Sequence, residues 1–132
     1  MIPQLSPAQA RNYSALQLAF IGDAVYNLYT RLNSLKEGKG LRAMHLGTTR
    51  RVNAVAQSQA LSMLDNLLTE EERDIVRRGR NAHPRHTAPR SATSAQYSAS
   101  TGFEALIGFH FLTGQTERLN TFLNYLYSEQ AV

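Results

Sequence analysis

Two carboxylates lie in stretches whose pattern predicts buried helix, and they are the chain's best candidates for chemistry. Asp23 stands in LAFIGDAVY and Glu104 in STGFEALIGFHF. A carboxylate in an apolar helix is costly to bury unless it is paired or bound to a metal ion. Small or polar residues occupy the positions one turn away from these acids: Ala19, Asn27, Ser100 and Gly108. Such neighbours would leave space for an ion, its waters and a phosphate.

The chemistry open to such a pair is metal-assisted hydrolysis. Two close carboxylates repel, and one of them keeps its proton unless a cation relieves the charge. Mg²⁺ takes hard oxygen ligands and retains several waters, so one or two carboxylates suffice. A bound Mg²⁺ can activate water and stabilise charge on a phosphodiester oxygen. A structural role for Asp23, as a cap or an arginine partner, stays open. The sequence also leaves open whether Asp23 and Glu104 meet in space.

Helices must position these acids, because no stretch predicts a strand or a repeat. Capping boxes at Ser14–Gln17 and Thr69–Glu72 start two of the helices. Helical spacing predicts segments over 16–32, 41–67, 69–80, 97–113 and from 116 onward, after a short helix at Ser6-Pro7. Gly47-Thr48-Thr49 is expected to divide the second segment, and Thr116 to cap the last. Residues 81–96, with two prolines and many small residues, are expected to form a loop.

Composition restricts the class of protein. The chain has 132 residues, which fits a single domain over 1–132. We expect an all-α domain in which the two acid-bearing helices are central and buried nearly all round. Cysteine is absent, so a disulfide framework and cysteine-ligated zinc are excluded. The start lacks a signal-peptide pattern, and no apolar run approaches the roughly 20 residues of a membrane helix. A cytoplasmic protein is expected, with no membrane partner.

The chain has a net charge of +4, and one stretch is especially rich in arginine. Five arginines fall within fourteen positions that contain no acid: Arg77, Arg78, Arg80, Arg85 and Arg90. We predict that they contact the phosphates of a nucleic acid together with Asn81, although a solvated loop is the ordinary alternative. His83 and His86 lack a third ligand and predict no metal site.

A second basic group consists of Arg42, His45, Arg50 and Arg51. It is equally compatible with contacts to a flanking nucleic acid and with a solvated helix face.

The motifs around the two acids resemble those of a known family. LAFIGDAVY is similar to the signature helix of ribonuclease III, and FEALIG to the second acidic helix of that family. RRGRNAH at 77–83, and the lack of a recognisable double-stranded-RNA-binding domain, resemble the Mini-ribonuclease III branch. The resemblance covers nearly the whole chain. It implies a ribonuclease III-like fold and a homodimer in which each subunit cuts one strand of an RNA duplex.

The same resemblance implies further properties. Products would carry 5′-phosphate and 3′-hydroxyl ends, and the substrate would be the large-subunit (23S) ribosomal RNA precursor. Asp23 and Glu104 match the family's catalytic, metal-binding acids, for which Mg²⁺ is the expected cofactor and Mn²⁺ a substitute. Phe20 matches an apolar residue at the dimer contact.

The chain departs from the full ribonuclease III pattern at three positions. Leu16, Ala19 and Thr101 stand where that pattern has acids. The Mini-ribonuclease III branch shares this reduced site, which favours one tightly held Mg²⁺ per subunit. The missing acids also motivate an alternative, a ribonuclease III-like module that binds RNA without cutting it. A basic helical DNA-binding protein is a third reading, but no convincing helix-turn-helix pair supports it.

Overall fold

The computed structural model describes residues 4–82 and 92–130, and over these ranges the chain is helical without strands. This confirms the all-α prediction. Seven α-helices follow in order: α1 Pro7–Arg11, α2 Ala15–Lys36, α3 Leu41–Val52, α4 Ala54–Leu64, α5 Glu70–Arg80, α6 Ser94–Leu112 and α7 Thr116–Gln130. A single 3₁₀ turn, Asp65–Leu67, joins α4 to α5.

The helix starts follow the capping chemistry of the sequence. The predicted capping boxes of Ser14 with Gln17 and of Thr69 with Glu72 both form. A third box, Thr93 with Gln96, starts α6 at Ser94. The predicted loop over 81–96 therefore ends earlier than expected, because its last residues form the first turn of α6. Residues 83–91 lie outside the described part of the chain.

The 41–67 segment divides into two helices as predicted, but the predicted place of the break is wrong. Gly47, Thr48 and Thr49 continue α3, and the break falls at Asn53. The Asn53 side chain accepts a hydrogen bond from the amide of Ala56 and so caps α4. Asparagine is a strong N-cap, whereas one glycine inside a helix costs only about 1 kcal/mol. The last helix also differs slightly, since Thr116 is its first residue rather than its cap.

Helix α6 forms the centre of the fold. Residues 99–103 and 105–110 are all buried, so the prediction of burial nearly all round is correct for this helix. Helices α2, α4 and α5 pack directly against it. The rings of Tyr26 on α2 and Phe103 on α6 meet edge to face with centroids 4.9 Å apart. This contact anchors the largest hydrophobic cluster.

Helix α2 is buried on one side only, which contradicts the expectation for it. Phe20 is 79% exposed, and Leu28 and Leu32 are also exposed. The sequence pattern was apolar all round, but the described chain covers only the side that faces α3, α5 and α6. An exposed apolar helix face of this kind is typical of an interaction surface.

Paired glycines set how closely the helices approach α6. A Cβ on Gly22 would overlap the backbone carbonyl oxygen of Glu104, and a Cβ on Gly108 would overlap that of Leu18. Only glycine permits α2 and α6 to cross at this distance. Gly79 of α5 has the same function against Gly102 of α6, since an added Cβ would lie 2.6 Å from the Gly102 Cα.

None of the described helices is both long and apolar enough to cross a membrane.

Candidate active site

The crossing of α2 and α6 brings the two predicted acids together. Gly22 packs against the Glu104 backbone, and the next residue along α2 is Asp23. The two carboxyl groups interact directly, by a side-chain hydrogen bond and by charge. Asp23 is exposed to solvent and Glu104 is half-buried behind it. The pair therefore has one carboxylate that solvent or substrate can reach and one that the core holds in place.

Glu104 carries the electrostatic cost of this arrangement. Burial raises the pKa of its carboxyl group to about 8, and the hydrogen bond and negative charge of Asp23 act in the same direction. A hydrogen bond from Gln57 opposes the rise. Near neutral pH the pair consequently holds a proton that a bound cation could replace.

Gln57 is a site residue that the sequence analysis missed. Its side chain is 2% exposed on α4, and its Nε2 atom lies 3.5 Å from Oε2 of Glu104. The amide donates to the carboxylate and helps to fix its orientation. The available signal was a polar residue at a core position of α4, next in helical spacing to Ala60 and Leu61.

The small neighbours of the acids do not leave the empty space that the sequence suggested. Ala19 is buried in a core cluster, and α2 fills the space beside Gly108. Ser100 donates a hydrogen bond to the Tyr97 carbonyl oxygen at 2.7 Å. Their size lets the helices pack, and open volume at the site lies on the solvent side of Asp23.

Of the three positions where the ribonuclease III pattern has further acids, two are buried and Leu16 is exposed. Leu16 lines an apolar cavity and Ala19 is core. Thr101 is buried, and its hydroxyl donates to the Tyr97 carbonyl oxygen at 3.1 Å. Within the described ranges, no group of three or more histidines, cysteines or acids could hold a metal ion. The donor set at the site is thus two carboxylates, with room for water on the exposed side.

The predicted RNA-binding arginines of α5 separate onto two faces. Arg77 and Arg80 line a cavity of about 260 Å³ with Arg73 and Leu61. Leu61 lies one turn along α4 from Gln57, so this cavity neighbours the acidic pair. Arg77 also pairs with Asp74 at 3.0 Å.

Arg78 lies elsewhere, with its Nη2 donating to the Tyr13 carbonyl oxygen at 2.8 Å. Asn81 is exposed and caps α5 at its C-terminus, where its backbone N–H donates to the carbonyl oxygens of Arg77 and Gly79. Arg85 and Arg90 fall outside the described residues, as do His83 and His86. RNA contact by these residues stays a prediction.

Phe20 lines an apolar cavity and stands three residues before Asp23. The cavity has a volume of about 580 Å³ and an almost entirely apolar lining. Its walls come from the start of the chain, α2 and the end of α6: Leu5, Tyr13, Leu16, Gln17, Phe20, Ile21 and Leu112. An exposed phenylalanine beside an open apolar cavity can serve as half of a self-complementary contact.

The chain can now be compared with known proteins. Residues 16–115 match the Ribonuclease III domain family. The chain is 49% identical over 109 residues to the Mini-ribonuclease 3 of Symbiobacterium thermophilum, covering 82% of this chain and 83% of the relative. It is 44% identical over 111 residues to the Mini-ribonuclease 3 of a Thermoanaerobacter species, covering 83% and 78%.

A crystal structure of a Fusobacterium nucleatum protein has the same fold. Its TM-score is 0.83 at 33% identity, with 91% of this chain and 96% of the other covered. The chain therefore belongs to the ribonuclease III family of nucleases, in its Mini-ribonuclease III branch.

Proposed function

We propose that this chain is a Mg²⁺-dependent endoribonuclease that cuts double-stranded RNA, with Asp23 and Glu104 as its active-site residues. The contact between these two carboxyl groups is the observation that carries the proposal. Burial beside Asp23 raises the pKa of Glu104 to about 8, so the pair gains most from a partner that supplies positive charge. Two hard oxygen donors with open solvent beside them fit Mg²⁺, which keeps several of its waters, and Mn²⁺ could substitute.

The residues of the chain have separate tasks in this proposal. Asp23, exposed on α2, would hold the ion on the side that faces the phosphodiester. Glu104 would hold it from the core side, with Gln57 orienting the carboxylate. When bound, the ion supplies Lewis-acid stabilisation and a more acidic water. Arg77 and Arg80, in the cavity next to Gln57's helix, would position the RNA backbone by its phosphates.

A homodimer is part of the same proposal. Two copies would have to bury the apolar surface around Phe20, and each would contribute one acidic pair for one strand of the duplex. We expect a dimer at micromolar concentration by analytical ultracentrifugation. Phe20→Asp should dissociate it, because a charge at a buried contact is strongly unfavourable. Leu41→Asp is the matched control, since Leu41 is 71% exposed and lies outside this cavity. A monomeric wild type would remove the dimer from the mechanism.

The finer assignments rest on the family resemblance alone. They are maturation of the 23S ribosomal RNA precursor, products with 5′-phosphate and 3′-hydroxyl ends, and action in the cytoplasm. End-labelling of the products, before and after phosphatase treatment, tests the end chemistry.

A non-cleaving RNA-binding module is the second candidate. The non-acidic residues Leu16, Ala19 and Thr101 favour it, because they leave two acids where the full family pattern has more. Binding of duplex RNA without products, over a range of Mg²⁺ and Mn²⁺ concentrations, would support this module and exclude the nuclease.

The deciding experiment is cleavage of a long RNA duplex by the wild type and by Asp23→Asn. We expect the substitution to lower the cleavage rate by more than about 100-fold, the upper range for losing only a supporting group around a metal site. Glu117→Gln removes an exposed carboxylate from α7 and is the control. The thermal transition should show that both variants fold. An Asp23→Asn enzyme with the wild-type rate would place the active site elsewhere.

A further inference from the structure

A second positively charged cavity lies away from the acidic pair. Some of the basic residues of α3 line it and others do not. It has a volume of about 380 Å³ and a predominantly polar lining. The turn before α3, α3 itself and α4 form its walls: Lys39, Gly47, Arg50, Arg51, Ala56 and Gln59. We name it the basic cavity. Arg42 and His45, the other members of the basic group predicted from sequence, are absent from this lining.

Two cations of the basic cavity, Lys39 and Arg50, have little compensating charge among the described residues. No carboxylate is among its lining residues in the described part of the chain. Lys39 has one ion pair, with Glu37 at the long distance of 3.7 Å. Arg50 is exposed and has no ion pair with a described residue. Lys39 and Arg50 repel each other across one concavity, and an anion that enters it relieves this repulsion.

The cavity is also preorganised. The Arg51 guanidinium carbon lies 4.7 Å from the centre of the Tyr127 ring, a stacking distance that favours a cation. The Tyr127 hydroxyl is in turn 3.3 Å from the Thr30 hydroxyl on α2. On the other wall, Gly47 presents no side chain, and a Cβ built there would be 3.8 Å from Nζ of Lys39. Arg51 is therefore held in place beside open space.

We infer that the basic cavity binds a phosphate of the RNA backbone, outside the strand segment that the acidic pair would cut. This inference rests on the proposed function for its choice of RNA. Ala56 and Gln59 face the cavity, whereas Gln57, between them in sequence, faces Glu104. Helix α4 thus separates the two sites and touches both. A phosphate in the basic cavity would fix the register of the RNA relative to the acidic pair.

The test compares matched variants in equilibrium binding of an RNA duplex, with EDTA present so that no cleavage interferes. Arg50→Gln removes a cation of the cavity. Arg42→Gln removes an exposed cation of the same helix that does not line it. We expect Arg50→Gln to weaken binding about tenfold at low salt and to lower the salt slope by about one. Arg42→Gln should change affinity less than threefold. Equal effects of the two variants would overturn the inference.

A second pair of variants blocks the cavity without removing a cation. Gly47→Glu places a carboxylate inside it, while Gly47→Ala adds only a methyl group. Both should fold with an unchanged or raised Tm, since the space is open and glycine is a poor helix former. Gly47→Glu should weaken RNA binding more than tenfold, and Gly47→Ala should leave it unchanged. Equal RNA affinity of these two folded variants would contradict the inference.

Two further arms separate the possible failures. If the wild type binds RNA through Arg50 but cuts no duplex in Mg²⁺, the proposed nuclease activity fails and the phosphate site stands. If it cuts duplex RNA and Arg50→Gln matches Arg42→Gln in KM, the phosphate site fails alone.

Titration with inorganic phosphate at constant ionic strength, followed at the Gly47 amide by NMR, distinguishes a free-anion site. Phosphate binding there, with RNA affinity insensitive to Gly47→Glu, would overturn the assignment to RNA.

Discussion

Two glutamates, Glu72 and Glu104, have pKa values that are shifted in opposite directions. Glu72, on α5, is only 3% exposed, yet its pKa lies well below its ordinary value. Glu104, on α6, is less buried, and its pKa is raised to about 8. The depth of burial does not explain this difference, because burial raises the pKa of both carboxyl groups. The partners of each carboxylate decide the direction.

The partners of Glu72 are all hydrogen-bond donors. Arg118 binds both of its carboxylate oxygens, at 2.9 and 2.8 Å. His110 Nε2 lies 2.7 Å from Oε2, and the Thr69 amide donates to Oε1 at 2.8 Å. Glu104 instead faces another acid, Asp23, with a single long bond from Gln57. The Glu72 carboxylate is a satisfied structural group, whereas the Glu104 carboxylate lacks a positive partner within the described chain. A bound metal ion would supply the positive charge that Glu104 lacks.

The largest expected effect comes from removing the satisfied acid. Glu72→Ala should lower the free energy of unfolding by about 3–5 kcal/mol, since it leaves His110 and Arg118 without their buried partner. It should do so without changing the cleavage rate per folded molecule. Glu71→Ala is the control on the same helical turn, where an exposed pair with Arg11 should contribute less than about 1 kcal/mol. Urea unfolding measures both values, and equal losses would contradict the contrast.

The second effect concerns pH and tests the unsatisfied acid. The Glu104 carboxyl has a pKa of 4.5 in the unfolded chain and about 8 in the fold, so the unfolded state releases its proton first. Stability without metal should therefore fall as pH rises from about 4.5 to 8. Glu104→Gln should remove this fall and be more stable than wild type at pH 8 by roughly 2–4 kcal/mol, but equal to it at pH 4.5.

The matched control for this pH effect is Glu117→Gln, which should follow the wild-type profile in EDTA. Mg²⁺ at pH 8 should raise the Tm of the wild type and leave that of Glu104→Gln nearly unchanged. Glu72 has the opposite sign: its stabilisation is present above its unfolded pKa of 4.5 and is lost as pH falls below that value. A difference between Glu104→Gln and wild type that is independent of pH would refute the assignment of the raised pKa.

The smallest effect comes from Gln57, whose amide donates a hydrogen bond to Glu104. Gln57→Leu removes a bond of 3.5 Å and should change stability by no more than about 1 kcal/mol. Because Gln57 lowers the pKa of Glu104, its loss should raise that pKa and weaken Mg²⁺ binding a few fold at pH 7. Thermal shifts in an RNA-free Mg²⁺ titration measure this, with Gln59→Leu on the exposed side of α4 as control. Equal midpoints for the two variants would exclude Gln57 from the site.

The sequence by itself determined the helices and the identity of the two acids. Local chemistry sets capping boxes such as Ser14–Gln17, and they formed as predicted. Periodicity correctly placed α6 in the core, because its residues are apolar on every face. It was wrong for α2, since an apolar face shows what can be buried and not what the rest of the chain covers.

Only the tertiary structure decided what those residues do to each other. Helices α2 and α6 cross closely at Gly22 and Gly108, and this crossing brings Asp23 to Glu104 although they are 81 positions apart in the sequence. No local sequence pattern predicts such a contact. The same holds for Gln57, which is an ordinary core position until α4 packs on α6. Ionisation follows from distances between side chains on different helices, so the opposite behaviour of Glu72 and Glu104 could not be read from their neighbours in sequence.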